Sequence, residues 1–202
     1  MPLLAKDNQK EFKPLKAGTH IGRVCGIINI GTITDSFKNE DVTRNRVYIS
    51  FEIPNQLKED GKPYTIGQEF TLSMNSKGNL LPFIESMLGV KLDKEASKEF
   101  DVYSLLGNTA MLNVVHSLPN AEGNVFANIK SVSPIPEGMT CPPAVLEPYL
   151  FDYADNFKVE FVSAMNEKAL LRKKILRSEE WQAKGINLEE SAKDALNREF
   201  SS

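Results

Sequence analysis

Hydrophobic and polar positions alternate most clearly in residues 44–54, RNRVYISFEIP. Because successive side chains of a strand point to opposite faces, this segment has one apolar row and one polar row. The apolar row consists of Val47, Ile49, Phe51 and Ile53, and the polar row consists of Arg44, Arg46, Tyr48, Ser50 and Glu52. The pattern predicts a strand that buries the first row in a core and turns the second row outward.

Four other segments also have strand patterns. Residues 19–33 contain three glycines and a break in the alternation, which is typical of a strongly bent or bulged strand. Residues 68–75 are predicted to form the third strand, residues 109–116 the fourth and residues 125–132 the fifth. In the third strand the predicted inward residues are Phe70, Leu72 and Met74.

Apolar residues at helical spacing lie between the third and fourth strands. Residues 80–88 have this spacing and end at Gly89, a residue type that commonly terminates helices. A second, shorter helical piece is predicted at residues 94–106. The order is therefore three strands, a helical insertion and two strands.

This order is the layout of the OB fold, a five-stranded, partly open barrel that binds oligonucleotides or oligosaccharides. It is also compatible with a small mixed α+β sheet. We predict a mainly β fold, with residues 14–135 forming a five-stranded OB-fold barrel that has a helical insertion between strands three and four. A C-terminal helical extension is predicted to follow the barrel.

The composition changes after the fifth strand. Residues 134–148 contain five prolines, which can continue neither a sheet nor a helix. Residues 136–148 are therefore predicted to be a linker or a strap along the barrel. Residues 149–202 are predicted to be a helical region, in which a helix over 156–184 is interrupted near 163–166.

Composition and charge narrow the class of protein. A hydrophobic content of 41% and a charged content of 25% exclude a disordered chain. The net charge of −3 means that any nucleic-acid surface must be local. No apolar run approaches the length of a membrane span, and the first residues do not resemble a signal peptide. The two cysteines, Cys25 and Cys141, are far apart, which favours a reducing compartment and a cytoplasmic location.

The polar row of the 44–54 strand sets guanidinium groups next to an aromatic ring. Cations that hold a backbone and rings that stack bases are the chemistry of single-stranded nucleic-acid binding. The alternative interpretation of this polar row is a solvated outer face. The order of elements along the chain favours binding over that alternative. The candidate nucleic-acid-binding residues are Arg44, Arg46, Tyr48, Lys77, Phe37, Lys38, Phe126 and Lys130.

The last five of these candidates lie outside the 44–54 strand. Phe37 and Lys38 belong to a polar stretch, residues 31–43, that is predicted to be an exposed loop with these two residues near its tip. Lys77 follows the third strand, where it can contact a phosphate or start the helix as a solvated residue. Phe126 and Lys130 share one face of the fifth strand, although Phe126 also fits a core position.

No arrangement of residues points to catalysis. The only two histidines, His20 and His116, lie on different predicted strands without the spacing of metal ligands. Neither a Gly-rich phosphate loop nor a nucleophile with a neighbouring base can be identified. We therefore expect a protein that is not an enzyme and that uses no metal and no cofactor.

Four stretches of the chain together resemble a family of phage-type single-stranded DNA-binding proteins with an OB fold. They are GTHIGRVCGIINIGT, FTLSMNSKGNLLPFIESMLG, FDVYSLLGNTAMLNVVHS and GNVFANIKSVSPIPEGM, and they cover roughly residues 14–139. The family pattern has a Gly-rich first strand, a Lys before a Leu-rich helix and a Pro-rich exit. One departure is the C-terminus, LNREFSS, where many such proteins have an acidic tail that ends in Pro-Phe and recruits partners.

The resemblance implies binding of single-stranded DNA with little sequence specificity in phage-type replication or recombination, in the cytoplasm of a bacterial host cell. Replication or recombination proteins are the further partners that it implies, and no membrane is involved. A homo-oligomer is compatible with the sequence, which leaves the oligomeric state open. A structural or scaffolding module that uses the same barrel to bind protein is the alternative function, and the acidic balance favours it.

Overall fold

A computed structural model describes residues 13–37 and 40–188 of the 202-residue chain. The candidate Lys38, the side chain of Phe37 and the last part of the predicted helical region, residues 189–202, lie outside the described residues.

Within the described ranges the chain forms six strands and five short α-helices. The strands are β1 (Gly18–Phe37), β2 (Glu40–Leu57), β3 (Pro63–Thr71), β4 (Thr109–His116), β5 (Ala127–Ser133) and β6 (Tyr149–Phe151). The helices are α1 (Leu80–Leu88), α2 (Lys94–Lys98), α3 (Val159–Ser163), α4 (Leu170–Arg177) and α5 (Glu179–Ala183), with a 3-10 turn at Val102–Leu105.

The strands form one mainly antiparallel sheet, so the prediction of a mainly β fold is confirmed. The order across the sheet is β3-β2-β1-β4-β5, and β6 pairs in parallel with the middle of β1. The sheet is not closed by hydrogen bonds, because β3 and β5 are its two edges. Cα atoms of these edge strands nevertheless approach within 8 Å of each other, so the sheet curls strongly.

The first strand is bent, as its glycines and broken alternation predict. Its pairing with β2 shifts register between Val24 and Gly26 and again between Asn29 and Gly31. Gly31 has a φ of +94°, a conformation that side chains with a Cβ rarely adopt. The two irregularities let the beginning of β1 pair with β4 while its later part pairs with β2.

The prediction of an exposed loop at residues 31–43 is wrong. These residues continue β1 and β2 as a two-stranded ribbon that pairs from Gly31 opposite Arg46 to Phe37 opposite Glu40. The hydroxyls of Thr34 and Thr43 lie 2.7 Å apart across it. We call this ribbon, residues 31–37 and 40–46, the arm. Polar side chains on both of its faces explain why its sequence resembles a loop.

The third strand begins and ends earlier than predicted. A tight turn over residues 58–62 starts β3 at Pro63, since the main chains of Lys58 and Lys62 pair and Gly61 has a φ of +77°. The strand ends at Thr71, so Leu72 and Met74 are not strand residues, and Leu72 is exposed.

For residues 80–132 the predicted elements agree more closely with the structure. Helix α1 and strand β4 have the predicted bounds, and Gly89 ends α1 in the left-handed conformation. The piece predicted at 94–106 consists of α2 and the 3-10 turn, which are capped by the carboxylates of Asp93 and Asp101.

Two hydrophobic cores lie on opposite faces of the sheet. The first contains the predicted row Val47, Ile49, Phe51 and Ile53 together with side chains from α1, β4 and β5. The second core is formed by residues 149–188, which we call the C-terminal layer, packed on the other face of β1 and β2. Its buried residues are Ile28, Ile30, Ile33, Phe151, Val162, Ile175 and Trp181.

The proline-rich segment joins the two regions as a strap across the sheet. It is held by Glu52, whose carboxylate accepts hydrogen bonds from the backbone N–H groups of Val145 and Leu146, at 3.2 Å and 2.9 Å. Arg23 lies 3.6 Å from the same carboxylate. The Glu52 side chain has no exposed surface. A buried carboxylate of this kind requires such partners, so the strap and Glu52 stabilise each other.

Candidate nucleic-acid interface

The polar row of β2 has the predicted direction, but most of it is not open to solvent. Tyr48 packs against the second core, Ser50 is buried beside Cys25, and Glu52 lies under the strap. Arg46 is largely covered, with 20% of its side chain exposed, and only Arg44 of this row is exposed. The face of β2 that was predicted to point outward and bind nucleic acid is therefore the floor of a second core.

Tyr48 shows how the row is covered. Its ring lies across Gly67 of β3, a position where any Cβ would collide with it. Burial raises the pKa of the Tyr48 hydroxyl to about 12. Stacking of a base on this ring stays a prediction, and it requires the C-terminal layer to leave the sheet.

The charged groups at the base of the arm form a connected set of ion pairs. Arg46 bridges two carboxylates, with its guanidinium nitrogens 2.6 Å from Asp35 and 2.6 Å from Glu69. Two cations of α4 share the same carboxylates: Lys174 lies 2.6 Å from Glu69, and Arg177 lies 3.4 Å from Asp35. We call these five residues and Arg44 the arm-base cluster.

Cations outnumber carboxylates in the arm-base cluster. Three cations, Arg46, Lys174 and Arg177, share the carboxylates of Asp35 and Glu69. Arg44 stands opposite Ile33 on the face of the arm that carries Asp35, and its side chain forms no ion pair within the described residues. The six groups therefore have a net charge of +2, which the neighbouring Glu180 carboxylate at Thr32 reduces to +1, and a net positive charge favours an anion here.

The C-terminal layer is also attached to the arm by hydrogen bonds from an uncharged residue, Thr32, to a carboxylate. The Glu180 carboxylate accepts hydrogen bonds from the backbone N–H and the hydroxyl of Thr32, at 2.6 Å and 2.7 Å. Burial opposes ionisation of Glu180, but the bonds from Thr32 outweigh it and place the pKa of this carboxyl below its ordinary value. Glu180 is therefore ionised at neutral pH and orients the base of the arm.

The remaining described candidates lie outside the arm-base cluster. Lys77 is exposed after β3, in a turn where its backbone N–H donates to the Asn75 side chain. Phe126 precedes β5 and is 48% exposed. Lys130 is exposed on β5 at a register shift, because Asn113 pairs with Ser131 and the next residue pairs with Ile129. The structure thus brings together Arg44 and Arg46 but not Lys77, Phe126 or Lys130.

Two members of the arm-base cluster, Asp35 and Glu69, have no counterpart among the sequence predictions. Lys174 and Arg177 belong to LLRKKILR, a basic amphipathic stretch that fits nucleic-acid binding, partner binding or a helix with one wet face. One signal for the covered face was present in the sequence. The run VCGIINI in the first strand is apolar at nearly every position, which is typical of a strand that is buried on both faces. Nothing in the sequence indicates that residues 170–181 are what covers it.

The described ranges lack the features of a metal site and of a membrane-spanning helix. No group of three or more His, Cys, Asp or Glu residues there could hold a metal ion. None of the helices in those ranges has the length and apolar character that crossing a membrane requires. No family model matches the chain, and no curated protein is similar enough in sequence to be considered a relative.

Proposed function

We propose that this protein binds single-stranded DNA with little sequence specificity, in phage-type replication or recombination in the cytoplasm of a bacterial host. The observation that carries the proposal is the excess of cations in the arm-base cluster, next to a projecting two-stranded arm. Phosphates of a single strand are the ligands that such a surface attracts. Replication or recombination proteins are the further partners that we propose.

The arrangement of the sheet supports an OB fold for this function. The path β3-β2-β1-β4-β5, with α1 between β3 and β4, is the order expected for that fold. The closeness of β3 and β5 without hydrogen bonds between them suits a barrel that is partly open. In OB folds the loop between the first two strands contacts the ligand, and the arm occupies this place in the chain.

In this proposal, exposed cations contact the phosphates of the strand and exposed aromatic rings contact its bases. Arg44 and the cations beside it hold phosphates, and Lys77 and Lys130 add contacts elsewhere on the surface. Phe126, which is half-exposed, stacks a base, as Phe37 at the end of the arm does. Each stacked base contributes on the order of 1–3 kcal/mol, so two stacks and a few phosphate contacts produce useful affinity.

The proposal is tested by the fluorescence anisotropy of a labelled oligo-dT in low salt, with the wild-type protein and two charge variants. We expect binding at micromolar protein and a weaker complex with Arg44→Gln, because an unpaired cation of the arm is lost. Lys62→Gln is the matched control, since Lys62 is exposed in the turn at the opposite end of β2. Absence of binding by the wild type would refute the function, and equal effects of the two variants would refute the site.

The alternative, a structural or scaffolding module that binds protein, is favoured by one observation. Apolar side chains are exposed on and beside the β4–β5 hairpin, namely Val115, Leu118 and Phe126. If the wild type binds no oligo-dT but self-associates in size-exclusion chromatography, and Leu118→Ser with Phe126→Ser abolishes the association, the scaffolding function replaces the one proposed.

A further inference from the structure

Helix α4 is the most basic segment of the described chain. Residues 168–177 contain five Lys or Arg and no Asp or Glu. The C-terminal layer, residues 149–188, carries seven Lys or Arg and six Asp or Glu, whereas the rest of the chain carries 17 and 21. The layer that covers the sheet is therefore positive on a protein that is negative overall.

Only part of this charge is neutralised by the sheet. Lys174 pairs with Glu69, and Arg177 reaches Asp35 at 3.4 Å while 60% of its side chain stays exposed. Lys168, Arg172 and Lys173 form no ion pair within the described residues. The Nε atom of Arg172 is buried and has no hydrogen-bond partner there. The ion pairs to the sheet thus account for two of the five cations.

The geometry of α4 turns the other charges outward. Ile175 is buried in the second core and Leu171 packs against it, so these two residues mark the inner face of the helix. Lys173 and Arg177 are four residues apart on the opposite side, about 6 Å along the axis. Both are exposed. Arg177 contacts the arm on the face that also carries Arg44, so the outer face of α4 continues the arm-base cluster.

We propose that the outer face of α4 is a second phosphate-binding surface, which takes the backbone of the same single strand that contacts the arm. The inference rests on the proposed function and extends it to the C-terminal layer. A nucleic-acid backbone is favoured as the ligand because its charges repeat along a line, as Lys173 and Arg177 do along α4. The C-terminal layer then replaces the covered face of β2 as the surface that contacts DNA.

The test compares two double variants of the full chain, Lys168→Gln with Lys173→Gln and Lys62→Gln with Lys94→Gln, and leaves Arg177 intact because it belongs to the arm-base cluster. Both remove two positive charges from exposed side chains, and the second pair lies in the β2–β3 turn and on α2. The affinity for labelled oligo-dT is measured by anisotropy at several salt concentrations, and thermal unfolding checks that both variants fold. Lys174 is left intact because it holds Glu69.

We expect the α4 variant to bind more weakly and the slope of log affinity against log salt to become shallower by about 1.4, because each phosphate contact contributes about 0.7. The control should keep the wild-type slope. An α4 variant that matches the control overturns the inference alone, whereas a wild type that does not bind oligo-dT refutes the proposed function and the inference with it. If the α4 variant loses binding to a poly-glutamate peptide while its oligo-dT binding stays at the wild-type level, the inference is overturned in favour of an acidic protein partner.

Discussion

Tyr48 lies on the face of β2 that strand alternation assigns to solvent, yet it is a packing residue. Its ring crosses Gly67 and contacts the second core, so truncation removes buried contacts. We expect Tyr48→Ala to lower the free energy of unfolding by about 2–3 kcal/mol, somewhat less than the 3–5 kcal/mol of a fully buried aromatic residue. Urea denaturation of the purified variant measures this loss.

Tyr48→Phe is the matched control for that experiment. It keeps the ring and removes only the hydroxyl, so we expect its stability to stay close to that of the wild type. If Tyr48→Ala is as stable as Tyr48→Phe, the ring does not contribute to the second core, and the C-terminal layer does not cover β2 as described.

Buried tyrosines also make stability sensitive to alkaline pH. Burial raises the pKa of both Tyr48 and Tyr153 to about 12, above the ordinary value of about 10. The folded state therefore holds these protons more tightly than the unfolded state. Their contribution to stability is complete below about pH 10 and is lost as the pH rises toward 12. Urea midpoints measured across this range should fall, with a smaller fall in Tyr48→Phe; a flat profile would contradict the burial of these rings.

At the scale of elements, the strap depends on one carboxylate. Replacing Glu52 by Gln removes the charge opposite Arg23 and weakens the acceptor for the N–H groups of Val145 and Leu146. Breaking a buried ion pair by removing one partner typically costs about 3–5 kcal/mol. We expect Glu52→Gln to be destabilised by up to this amount and to exchange the amide hydrogens of residues 144–147 faster in hydrogen-exchange mass spectrometry.

A control separates this effect from general loosening of the chain. Glu59→Gln changes an exposed carboxylate in the β2–β3 turn. In the structure this carboxylate pairs with Lys13 at the surface. The substitution should leave the exchange of the strap unaltered. Strap amides that exchange equally fast in the wild type and in Glu52→Gln would show that the buried carboxylate does not hold the strap.

Local sequence patterns predicted strands that bury only one face and helices that end at a characteristic residue type. The apolar row of β2 lies in the first core, and α1 ends at Gly89 because a left-handed residue closes the helix there. The arm was not predicted, since its polar residues on both faces lack the alternation by which strands are recognised. The cover over Tyr48 depends on contacts between residues more than 100 positions apart, which no local period encodes.

At the scale of the whole molecule, β1 belongs to both cores. Val24 and Ile27 face the first core, whereas Ile28, Ile30 and Ile33 face the second. Removal of the C-terminal layer would therefore expose a row of isoleucines on the sheet. The layer also contains the basic helix α4, so the layer whose inner face stabilises the sheet is the one whose outer face we propose for DNA.

The central claim, binding of single-stranded DNA through phosphate contacts on a local basic surface, is tested most directly by one titration. The affinity of the wild-type protein for labelled oligo-dT and for a duplex of equal length is measured by anisotropy from low to moderate salt. We predict a preference for the single strand and a linear fall of log affinity with log salt, since bound phosphates release counterions. Equal affinity for both DNAs, or binding to oligo-dT that does not change with salt, would contradict the claim.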